Sequence, residues 1–133
     1  MRKFHLIFIG IFIFFSTVFT AMIKAENKLD IEDEKSSVVN DFNQDFEVGE
    51  AIYYQDVVTV NVDLEKMANS LGWTVYHYHE YSITFDGRNS FVLFCDFIKE
   101  VNQERFLASG FKNIEMKLIY KEEVIQYFQE ELE

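Results

Sequence analysis

Leu64, Met67, Ala68 and Leu71 recur at i, i+3, i+4 and i+7, the spacing that lays one apolar stripe along a helix. Asp63 stands where an N-cap belongs, because its carboxylate can accept the free N–H groups of the first turn. Gly72 stands where the chain leaves the helix, often through positive φ. So short a helix is not stable alone, and its stripe must pack on something. Upstream, Ala51–Tyr54 and Val57–Val62 are apolar runs separated by Gln55-Asp56, which predicts a hairpin with Val58, Val60 and Val62 on one face. Downstream, Trp73–Tyr78 is rich in β-formers, Tyr81, Ile83 and Phe85 alternate, and Asp86-Gly87 reads as a hairpin turn. Phe91, Leu93, Cys95 and Phe97 then share one face of a returning strand. Val101–Glu104 reads as a turn, Phe106–Ala108 as a short strand and Ile114–Tyr120 as the last strand. Lys121–Glu131 reads as a closing helix, with Val124, Ile125, Tyr127 and Phe128 on its stripe. The pattern predicts an α+β fold: an antiparallel sheet of about five strands, joined by hairpins or as a meander, packed around one or two short helices.

The N-terminus changes the compartment. Arg2-Lys3 precede an almost wholly apolar run from Phe4 to Ile23, and polar sequence begins at Lys24-Ala25-Glu26. Residues 1–25 read as a signal peptide cleaved after Ala25 or Ala21. The run approaches the ~20 residues that span a bilayer, so an uncleaved anchor is the alternative. Either way the folded part is expected outside the cytoplasm, secreted or at the cell envelope. Residues 26–50 carry nine acids against Lys28 and Lys35 with few apolar positions, and read as an acidic, largely disordered arm. Those acids lack the spacing of a calcium loop. Residues 51–133 form the folded domain.

Charge narrows the partners. The net charge of −11 repels phosphate backbones and argues against nucleic acid. It suits solubility and cationic partners. A membrane partner is expected only if the N-terminal segment stays uncleaved.

Candidate chemistry is sparse. On a strand, His77 and His79 would share a face and could grip one metal ion, but a third ligand is not identifiable and no cofactor is expected. Cys95 is the single cysteine, so no intramolecular disulfide forms, and its apolar neighbours make it a buried filler rather than a nucleophile. The front of the domain is rich in aromatics. Tyr54, Trp73, Tyr76 and Tyr78 form the candidate binding set, since such rings stack on sugars or anchor protein partners. No pair of carboxylates stands out as a hydrolase pair.

Sliding the chain on itself by 57 positions places Val62, Glu65, Met67, Ala68 and Leu71 on Ile119, Glu122, Val124, Ile125 and Phe128. With the motif order, this resembles the copper amine oxidase N-terminal-like domain of secreted and cell-wall proteins in Gram-positive bacteria. Ile52–Val62 is similar to that family's opening hairpin, Val62-Asp63-Leu64-Glu65 to its Val-Pro-Leu-Arg, and Met67-Ala68 with Leu71-Gly72 to its helix signature. Ser82-Ile83-Thr84-Phe85 resembles its Thr-Val-Thr-Ile strand, Val101-Asn102-Gln103 its Val-Asn-Gly turn, and Lys112 to Phe128 its second hairpin and helix. Asp63 and Glu65 replace the family's Pro and Arg, and His77 its usual Trp. The resemblance implies a non-catalytic envelope module. The function expected is therefore binding or scaffolding, with a cell-wall polymer or another envelope or secreted protein as partner. The alternative is a secreted inhibitor or immunity-type protein that docks on an enzyme through its aromatic and acidic surface.

Overall fold

The computed structural model describes residues 31–133. The expected signal peptide or anchor, and the first residues of the arm, lie outside them. Among the described residues no helix is long and apolar enough to cross a membrane.

The opening hairpin forms as its pattern predicts. β1 (Gly49–Tyr54) and β2 (Val57–Asp63) pair antiparallel around the Gln55-Asp56 turn, with Ala51 opposite Val60 and Tyr53 opposite Val58. The helix after it, α2 (Leu64–Leu71), is capped as expected. The Asp63 carboxylate accepts from the Glu65 and Lys66 amides, and Gly72 closes the helix at φ 76°. The element preceding the hairpin, however, corrects the reading of the acidic arm as disordered over its described part, residues 31–50. Ile31–Asp45 is a helix, α1, that buries Val38, Val39 and Phe42. Three acids in its first turn, Glu32, Asp33 and Glu34, suit the positive end of the helix dipole. Acidic composition thus hid an apolar stripe at helical spacing, which Phe46 extends.

From Trp73 to Ala108 helices replace the expected strands. α3 spans Val75–Ser82 and α4 spans Phe85–Ala108. Asp86-Gly87 is no hairpin turn. It lies in the first turn of α4, where the Thr84 hydroxyl accepts from the Gly87 amide at 3.0 Å. Glycine is required there, because a Cβ at position 87 would sit 1.9 Å from the Tyr81 carbonyl oxygen. Val101–Glu104 and Phe106–Ala108 both belong to α4. The chain then returns through β3 (Asn113–Tyr120), as expected. The predicted final helix is instead a strand, β4 (Glu123–Glu131). Lys121 and Glu122, at φ 50° and 67°, make the tight turn between them without the Gly or Asn that would announce it.

The class is α+β. The sheet has four strands in the order β1-β2-β3-β4. Both hairpins are antiparallel, and the central pair, β2 with β3, is parallel. A parallel neighbour needs a long crossover, which α2, α3 and α4 supply. Val58, Val60 and Val62 sit beside Ile114, Met116 and Leu118 on one face, and all six are fully buried beneath the helices. The opposite face is the more open one, carrying Ile52, Tyr54 and Tyr127 to solvent.

α1 is part of this core. Phe42 lies 4.8 Å from Phe46 and 5.9 Å from Phe106 of α4, ring centre to ring centre. Arg105, on α4, is buried and places its guanidinium 3.7 Å from the Asp41 carboxylate. Burial lowers the Arg105 pKa from its usual value, against the pull of Asp41 and Asp45.

Several segments that carry the resemblance to the copper amine oxidase N-terminal-like domain take another form. Ser82–Phe85 is a helix junction, Val101–Gln103 is helical, and the second helix is a strand.

Candidate functional site

The end of α2 turns directly into an aromatic cluster. Gly72 and Trp73 both bond back into α2, Trp73 through its amide to the Ala68 carbonyl at 2.9 Å. This fixes Trp73 at the corner between two helices. Thr74 then caps α3, its hydroxyl accepting from the His77 amide. Tyr78 and Tyr81, three residues apart, fall on one side of α3. The short Ile83-Thr84 link brings in α4, whose first turns deliver Ser90, Phe91 and Phe94. Met67 and Leu71, four apart on α2, close the remaining side.

These eight side chains line a cavity of about 220 Å³. Its rings are packed edge to face and tilted. Trp73 meets Tyr78 at 5.8 Å and 87°, and Tyr81 at 5.2 Å and 52°. Phe91 and Phe94 stack at 6.5 Å. Tyr78, Phe91 and Phe94 are buried walls, and Trp73, 42% exposed, forms the rim.

No lining side chain carries a formal charge. The polar groups are the Ser90 hydroxyl, two phenols and the Trp73 indole N–H. Burial pushes the Tyr78 phenol up to about 12, with smaller contributions from Tyr81 and Cys95, so it stays neutral. The chemistry on offer is apolar contact, ring stacking and a few neutral hydrogen bonds. The volume is below the ~300 Å³ at which ordinary small-molecule sites begin. It has room for one ring or one branched aliphatic group.

Comparisons with family models, curated proteins and solved structures return no match.

The structure divides the expected binding set. Trp73 and Tyr78 reach the cavity. Tyr76 is 67% exposed, about 200° around α3 from Tyr78, and its ring lies beside His77. Tyr54 is 76% exposed at the end of β1, on the open face of the sheet. The four do not form one surface. The histidine pair is also corrected. His77 and His79 are on a helix, where residues two apart point about 200° apart and cannot chelate one ion. His79 packs against Tyr120 in a tilted pair at 4.6 Å while His77 faces solvent. Among the described residues no group of three or more His, Cys, Asp or Glu could hold a metal.

Cys95 is buried, in keeping with its reading as a filler. Burial first, then Asp96 and Glu130, raises its thiol pKa, the opposite of activation.

Met67, Leu71, Tyr81, Ser90, Phe91 and Phe94 were not in the expected set. The signal for the last two was available. Phe91, Phe94, Cys95, Ile98, Asn102, Arg105 and Phe106 are all buried at helical spacing on α4.

Another cavity, of about 200 Å³, lies between β1, β2, α2 and β3, with Glu50, Asn61, Asp63 and Lys66 in its lining. Its Asp63 carboxylate is committed to capping α2.

Proposed function

We propose that this chain is an exported, non-catalytic binding module that seats one apolar or aromatic group of its partner in the cavity between α2, α3 and α4. The observation that carries the reading is the charge-free aromatic lining of a space the size of a single ring. Uncharged walls with few polar groups favour a side chain of a partner protein over a sugar, which needs a fuller set of hydrogen bonds. Buried aromatic pockets of this kind are where interface energy concentrates. Export rests on the basic and apolar N-terminal sequence. Burial and a raised pKa argue against Cys95 as a nucleophile.

Trp73 is the one tryptophan of the chain, so its emission reports on this site alone. Titration of the full chain with indole or p-cresol is expected to change that emission saturably. Ser90→Phe, which fills the space, should abolish the response. Pull-down with immobilised protein should retain secreted proteins rather than isolated cell wall, and Trp73→Ala should lose them. An emission that ignores both ring probes, with unchanged capture by Trp73→Ala, sinks the reading.

A further inference from the structure

The two edges of the sheet are finished differently. Along β1 lies α1. The Asn43 side chain donates through Nδ2 to the Ala51 carbonyl at 2.9 Å and accepts through Oδ1 from the Ala51 amide at 2.6 Å. The carboxamide does what the peptide of a neighbouring strand would do. Lys35 Nζ donates to the Gln55 carbonyl at 2.7 Å and closes the far end of the same edge.

β4, the other edge, has no such cover among the described residues. The Leu132 amide donates to the Lys112 carbonyl at 2.8 Å, which sets the alternation of the ladder. With Ile114 opposite Glu130 and Met116 opposite Phe128, the even-numbered residues bond to β3. Tyr127, Gln129 and Glu131 therefore turn their N–H and C=O groups outward, and all three are exposed. β4 is nine residues long and contains neither Pro nor Lys; its one register shift, opposite Leu118 and Ile119, falls at Ile125, before the outward groups of Tyr127.

Charge selects the occupant. Glu122, Glu123, Glu131 and Glu133 are exposed at the two ends of β4, while Glu130 is held by Lys99 at 2.8 Å. A second copy would bring the same glutamates and another net charge of −11. Like charges across paired strands oppose each other. We infer that β4 accepts an added strand from another protein, an extended segment that alternates basic and apolar residues. Backbone bonds to Tyr127, Gln129 and Glu131 would hold it, and the flanking glutamates would select it. This surface is separate from the helical cavity and stands or falls without it.

The test uses the full chain and a blocked nine-residue peptide of alternating lysine and valine. Amide exchange at Tyr127, Gln129 and Glu131 should slow at least tenfold, and the effect should fade with added salt. A peptide of alternating glutamate and valine should give none. Gln129→Pro removes an outward N–H that the sheet does not use, so the fold should persist while protection is lost. A Glu123→Lys, Glu131→Lys double variant should weaken binding at least tenfold and provides the readout if the proline variant fails to fold. No protection at the three amides, or equal protection by both peptides, overturns the inference. Concentration-dependent protection without peptide assigns the edge to a second copy and also overturns it.

Discussion

Glu115 shows what a single residue does on the open face of the sheet. Its carboxylate accepts from the Tyr127 hydroxyl at 2.6 Å and from the Thr59 hydroxyl at 2.7 Å, joining β2, β3 and β4. The Tyr127 bond first, then Thr59 and Lys117, holds its pKa below the ordinary 4.5, against the effect of burial. A carboxyl with a lowered folded pKa stabilises the fold above its unfolded value and loses that contribution as pH falls through the folded one. Tyr127→Phe is therefore expected to cost about 1 kcal/mol at neutral pH. The difference from wild type should shrink as denaturation midpoints are followed below pH 4.5. A constant difference at all pH values would mean that the bond contributes nothing to the linkage. Single residues were also where the sequence spoke most plainly. Asp63 and Gly72 announced both ends of α2, because capping is local chemistry. The Glu115 bonds were illegible, since they depend on which strands become neighbours.

At the scale of elements, legibility followed ambiguity of period. The first hairpin and α2 each obeyed one period, and both formed as read. The run Phe91-Val92-Leu93-Phe94-Cys95 satisfies both the strand and the helix template, and only the span settles it: after Gly87, α4 runs to Ala108 without a Gly or Pro. With α3 and α4 read as strands, the cavity could not be foreseen beyond Trp73 and Tyr78. β4 erred the other way, because its turn at Lys121-Glu122 uses positive φ in residues that give no sign of it. α1 was masked by charge. Its weight in the core is testable: Phe42 is fully buried between Phe46 and Phe106, so Phe42→Ala should cost roughly 3–5 kcal/mol. A loss below about 1 kcal/mol in urea unfolding would return α1 to the status of a loose arm.

For the molecule as a whole, α+β class was legible because hairpin and helix patterns coexist in the chain, whereas the order of strands was not. Local patterning cannot say that β2 will lie beside a strand separated from it by 49 intervening residues. That parallel central pair has a consequence for how the chain reaches its native state. Each hairpin closes a loop of two residues and can form early, on its own. Joining them requires closure over residues 64–112, an entropic cost roughly 3 kcal/mol larger by the logarithmic loop law. The rate-limiting event should be the meeting of two preformed halves, so contact order rather than helix formation sets the speed. Val58→Ala, opposite Ile114 across that seam, is expected to slow refolding roughly tenfold in stopped-flow emission of Trp73. If its whole effect falls on the unfolding rate, the seam closes after the barrier. The molecule is then two small folding units held apart in sequence by their own helices, and its slowest step is the zipping of one line of hydrogen bonds down the middle.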